Sequence, residues 1–157
     1  MPDTDVIDLA AGLAPGDPLH AARRFRAKVV EATQASHDAL LLQPVAGLST
    51  ADRLRVAIRA CTVAGAAGLA AHYADLLAGV AEKDASPSRA LPAMLEFAAT
   101  LIADPRRGDH AVLASLKSAG LDDVAIVALA QLVAFLSYQL RVVAGLQALR
   151  ASHGETR

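Results

Sequence analysis

The sequence predicts an all-α fold, a bundle of about six helices forming a single domain over residues 1–157. Three observations predict it. Hydrophobic residues make up 54% of the chain but aromatic ones only 3%, and alanine and leucine dominate. Both lose little side-chain freedom in a helix, so the composition favours helix over sheet. No run of period two, the mark of a half-buried strand, occurs anywhere. Finally, capping residues, prolines and glycines divide the chain at helix-length intervals.

Taken in order, residues 1–17 read as an N-terminal extension. Asp17-Pro18 is an N-cap followed by proline at the first helical position, where the missing N–H costs nothing. A helix is expected from there through Leu41. Gln43-Pro44-Val45-Ala46-Gly47 is a loop, and Ser49 caps a second helix, with Asp52 completing an acidic variant of the capping box. Gly65 and Gly68 are weak helix positions that mark either a break or a close helix contact. A helix resumes through His72 to Leu77. Glu82-Lys83-Asp84-Ala85-Ser86-Pro87 is a polar linker, and Ser86-Pro87 starts a helix to Ala103. After the Asp104–Gly108 loop, Asp109 caps a short helix ended by Gly120. Asp122 caps the last and longest helix, to about Arg150, whose first half is apolar on nearly every face. The tail 151–157 is expected to fray.

The charges nearly cancel, with 15 basic and 16 acidic residues and a formal net charge of −1. The basic clusters Arg23-Arg24-Phe25-Arg26 and Arg106-Arg107 are short and read as solvated positions, so no nucleic-acid partner is expected. The single cysteine, Cys61, excludes an intramolecular disulfide. The acidic N-terminus lacks the basic region of a signal peptide. The strongly apolar run Val124–Leu136 covers 13 residues, short of the roughly 17–25 of a membrane span. A cytoplasmic protein with no membrane partner is expected. His20, His37, His110 and His153 have no metal-ligand spacing and read as surface or cap residues, so neither a metal nor a cofactor is expected.

Two stretches carry a family resemblance. The first is Leu48-Ser49-Thr50-Ala51-Asp52-Arg53-Leu54-Arg55-Val56-Ala57-Ile58, followed by Gly65-Ala66-Ala67-Gly68-Leu69-Ala70-Ala71-His72. The second is Leu116-Lys117-Ser118-Ala119-Gly120-Leu121-Asp122-Asp123, continuing through Gln131 to Arg141 and Gly145-Leu146. Together they resemble the carboxymuconolactone decarboxylase / AhpD-like superfamily, in its peroxidase-related branch, over roughly residues 48–149. The resemblance implies an AhpD-like helical bundle. It also implies a glutamate, a Cys-x-x-Cys pair and a histidine. In this chain the cysteine positions fall on Gly65 and Gly68, and the glutamate position on Arg53, or on Leu54 in a register shifted by one. Only His72 remains.

That departure argues against dithiol peroxidase chemistry, which needs one activated thiolate and a second sulfur to resolve it. Cys61 is a buried small hydrophobe or the thiol of a single-cysteine peroxidase. On one continuous helix it would lie about 16 Å from His72; a break at the glycines shortens that. Ala64, Gly65, Gly68 and Ala71 form a small-residue face suited to helix packing, a subunit interface or a pocket. His72, followed by Tyr73 and Asp75, is a core histidine or a general base. Asp52 is a cap or a replacement for the missing glutamate. Tyr138 and Arg141 stand three apart on the last helix and could line a pocket with His72.

Three functions follow. The first is a family member with a degenerate site and a binding or assembly role, alone or beside an active paralogue. The second is a cofactor-free enzyme acting through His72 on a small carbonyl or lactone. The third is a single-cysteine peroxidase through Cys61. The resemblance also implies a homo-oligomer, a dimer, trimer or hexamer.

Overall fold

The structure, a computed structural model, describes residues 5–80 and 86–154. Among these it is all helix, with no strand beyond one isolated bridge between Val45 and Leu48. The helices are α1 (Val6–Ala11), α2 (Pro18–Arg24), α3 (Ala27–His37), α4 (Thr50–Val63), α5 (Ala67–Ala78), α6 (Leu91–Ala103), α7 (His110–Ser118) and α8 (Asp123–Gly154). A π-helical turn, Asp38–Leu42, prolongs α3, and a 3-10 turn, Pro105–Arg107, follows α6.

The expected caps form. Asp17, Ser49, Asp109 and Asp122 each accept a hydrogen bond from a backbone N–H in the first turn of the helix that follows. These side chains satisfy donors that a helix start leaves open. Gly65 and Gly120 end α4 and α7 in the left-handed region, at φ of 72° and 100°. In each case the next N–H reaches back to the carbonyl five residues earlier, Ala66 to Cys61 and Leu121 to Leu116, as in a Schellman motif.

Several elements differ from expectation. The single helix foreseen over 18–41 is broken at Phe25-Arg26 and finishes in the π turn. The helix foreseen from Ser86 begins at Leu91. The linker residues 81–85 lie outside the described residues, as do 155–157. The segment foreseen as an extension carries α1, whose Val6, Ile7 and Ala11 are buried. Arg23 is not solvated: it bridges Asp5 (2.9 Å) and Asp8 (2.7 Å), and Arg24 joins at Asp8. From the other side, Gln147 and Arg150 of α8 donate to carbonyls of Ala10, Ala11 and Gly12.

The core gathers on α4 and α8. Leu54, Val56, Ala57 and Cys61 of α4 meet Leu129, Leu132, Val133 and Leu136 of α8, with Met94 and Phe97 of α6 closing it. α8 is long and apolar enough to cross a membrane by length and composition, yet half of its most apolar window is buried within this bundle. The apolar face seen in sequence therefore divides. Ala125, Leu129 and Leu136 are core, while Val124 (62%) and Val127 (58%) are exposed.

Candidate functional site

α4 and α5 form a hairpin around Gly65. The break settles the geometry of the resemblance motif. Both glycines are exposed, and a Cβ built on either meets nothing within 4 Å. The close backbone approach expected for them does not occur. Gly65 is required by its φ, and Gly68 lies free in the first turn of α5. Both border shallow clefts beside Val143 and Gln147.

Cys61 lies one turn before that stop and is completely buried. Burial pushes its thiol up to about 12, so the thiolate is scarce at neutral pH. The reactive-thiol reading loses its chemical basis. Tyr73, expected in a pocket or interface, is also fully buried, and its hydroxyl donates to Gln139 Oε1 of α8. Burial and then Cys61 push its pKa up, while the bond to Gln139 pulls the other way.

His72 does not meet the partners foreseen for it. The Asp52 carboxylate is buried and holds Arg55 and the Ser88 backbone N–H, tying α4 to the start of α6. It neither completes a capping box through its side chain nor serves His72. Tyr138 pairs with Thr33 Oγ1 of α3 at 3.3 Å. Arg141 folds back onto the Ser137 carbonyl and hydroxyl, and it lines a cleft of about 290 Å³ with Ala64 and Gly65 instead.

The neighbour of His72 is His37, which sequence reasoning placed at the surface. His37 is 2% exposed. Its ring centroid lies 6.1 Å from that of His72 and 6.0 Å from that of Tyr73, on which it stacks. Phe135 of α8 meets its edge. His37 Nδ1 contacts Asp38 Oδ1 at 2.9 Å, and Gln34 Nε2 donates to the same oxygen. An ionised carboxylate only accepts, so Nδ1 carries the proton. The 3.4 Å approach of Gln34 Nε2 to Nδ1 is then a contact between donors and not a bond. Nε2 of His37 is buried and has no partner, and the same holds for Nε2 of His72. Burial, then the facing His37, hold the His72 pKa below its usual value, against the pull of Asp75.

The π turn places this group. An extra residue per turn at a helix end recurs at functional sites. Here Arg53, standing where the resemblance expects a glutamate, donates to the carbonyls of Leu40 (2.6 Å) and Gln43 (2.7 Å) and fixes the turn just after His37-Asp38. Among the described residues no group of three or more His, Cys, Asp or Glu could hold a metal. His110 is an exposed helix start, His20 approaches Asp8 at 3.7 Å, and the side chain of His153 lies outside the description.

No family model matches the chain, and no curated protein matches it. Among solved structures it is similar to an uncharacterized peroxidase-related protein from Silicibacter sp. TM1040. The TM-score is 0.58 at 20% identity, covering 79% of this chain and 71% of that one. The likeness is one of fold. It agrees with the all-helical bundle that the sequence resemblance implied. At this identity it carries no residue roles across.

Proposed function

We propose that this protein uses a peroxidase-related helical fold without dithiol chemistry, as a small-ligand-binding protein whose site is the His37–His72 pair. One observation carries the reading: two buried imidazole nitrogens, Nε2 of each ring, have no hydrogen-bond partner. Buried polar groups are paired with few exceptions, so two orphans on neighbouring rings support a polar guest beside them. Where the ring is neutral with its proton on Nδ1, Nε2 accepts, which suits a guest that donates, a hydroxyl or a protonated carboxyl. The absence of thiols at positions 65 and 68 and the burial of Cys61 support a role outside peroxide reduction. A homo-oligomer, with or without an active paralogue, and a cytoplasmic setting belong to the same proposal.

The test is an NMR titration of the imidazole nitrogens with phenol and with acetic acid. Saturable shifts of both Nε2 resonances, with the His72 shift abolished in His37→Ala, support the site. Resonances that do not move with either probe sink it.

The Asp38–His37 contact favours a second reading, a cofactor-free proton-transfer enzyme. A carboxylate that orients an imidazole and leaves Nε2 free is the arrangement of a general base. Deuterium uptake into acetone, faster with protein than in buffer and lost in both His37→Ala and His72→Ala, would distinguish the enzyme from the binder.

A further inference from the structure

Arg53 is 1% exposed, yet no carboxylate lies within ion-pair reach of it among the described residues. Its three hydrogen bonds go to two backbone carbonyls and to Thr50 Oγ1 (3.0 Å), all neutral. Its Nε is buried with no partner at all. The neighbouring carboxylate, Asp52, is turned to Arg55 and Ser88. A guanidinium stays protonated in a protein, so this position holds a buried and largely uncompensated positive charge.

The carbonyls at the end of the π turn offset some of it, by about half a charge for a helix C-terminus. The other end of the balance is unfavourable. Arg53 lies in the first turns of its own helix, α4, where the helix dipole adds about half a positive charge. Both positive features face one cavity of about 640 Å³, lined by Pro44, Val45, Ser49, Thr50, Arg53 and Ser86 among others, with no carboxylate on its described wall. Thr50 accepts from Arg53 and keeps its own O–H to donate. Ser49 accepts from the Asp52 N–H and does the same.

From this we infer that Arg53, Thr50 and Ser49 form a binding site for a small oxyanion, a carboxylate or a phosphate, separate from the histidine pair. The anion sits at the N-terminus of α4, accepts from the two hydroxyls, and neutralises the guanidinium beneath them. Charge-assisted bonds of this kind are the strong class. Because Arg53 also clamps the π turn, occupancy stiffens the segment that carries His37 and Asp38.

The experiment is an amide and guanidinium NMR titration of the full chain with inorganic phosphate and, separately, with acetate, against sodium chloride at equal ionic strength. The expected result is a saturable shift of Thr50, Ala51 and the Arg53 Nε–H that chloride does not produce. Saturation by phosphate alone names a phosphate-bearing ligand, and saturation by acetate names a carboxylate; either supports the site. Thr50→Val weakens the affinity by about fivefold, the value of one hydrogen bond. It leaves the Arg53 clamp to the π turn in place, so the test survives if Arg53→Met does not fold. Two outcomes overturn the proposal: shifts no larger than with chloride, or an affinity unchanged in Thr50→Val.

Discussion

His72 is a histidine whose folded environment disfavours its charge, through burial first and the facing His37 second. The unfolded chain therefore holds the proton more tightly, and it binds more protons than the folded one as pH falls past the ordinary value of 6.5. This contribution to stability is fully present above that pH and is lost below it. The melting temperature is expected to fall between pH 7.5 and pH 5.5, and His72→Gln should flatten that slope. An equal slope in the variant would assign the dependence to other groups. Cys61 gives a second expectation. With its pKa at about 12 against an ordinary 9.0, its thiolate is about three orders of magnitude scarcer. Thiol reagents should label it only when the chain unfolds, and Cys61→Ser should leave the response to peroxide unchanged. Labelling of the native chain at the rate of a free thiol would contradict the burial. In the sequence, His72 was legible through its place after Gly65 and Gly68 in the stretch that carries the resemblance. His37 was not, because nothing local marks it. Its importance comes from being carried inward by a π turn that Arg53 of another helix holds, and a sequence pattern does not display such a tertiary bond.

The two glycines of the resemblance motif are unlike each other as parts of an element. Gly65 adopts a left-handed φ of 72° at the end of α4 and sits in open space. An alanine there pays for backbone geometry and not for packing, at a cost of about 1 kcal/mol. Gly68 has ordinary helical geometry with nothing near its missing Cβ, so Gly68→Ala should stabilise by up to about 1 kcal/mol. Urea unfolding of the two variants should shift in opposite directions, and a shared sign would contradict the Schellman stop. Helix starts and stops were legible because capping is local chemistry: Asp17, Ser49, Asp109 and Asp122 all cap as their spacing indicated. The break at Phe25-Arg26 carries no proline or glycine and was invisible. Its cause is tertiary. Arg23 and Arg24 turn inward onto Asp5 and Asp8, and they hold α2 against α1. The Arg23 and Asp8 side chains are each 8% exposed. Removing Arg23 leaves the buried Asp5 without its cationic partner, while Asp8 keeps Arg24, so Arg23→Ala should cost about 3 kcal/mol in urea unfolding.

At the scale of the molecule, α8 binds the ends of the chain together. It forms one wall of the core with α4, contributes Gln139 and Phe135 to the histidine and tyrosine cluster, and anchors α1 through Gln147 and Arg150. A helix used on so many sides must be apolar on most of them, which is why its sequence was legible as central but not as divided. The division leaves Val124 and Val127 exposed one turn apart near its start, beside a net charge too small to keep like surfaces apart. Burying the two side chains against a second copy would recover roughly 3 kcal/mol per protomer. The proposed homo-oligomer would place this end of α8 at its interface. The expected outcome is a species larger than 16.2 kDa by light scattering at micromolar concentration, reduced to the monomer mass in Val124→Glu, Val127→Glu. The helix content of that variant should not change, since neither side chain contributes to the core. A wild-type chain that stays monomeric as the concentration rises would leave these valines as ordinary exposed surface. It would also confine any function to what a single copy can bind.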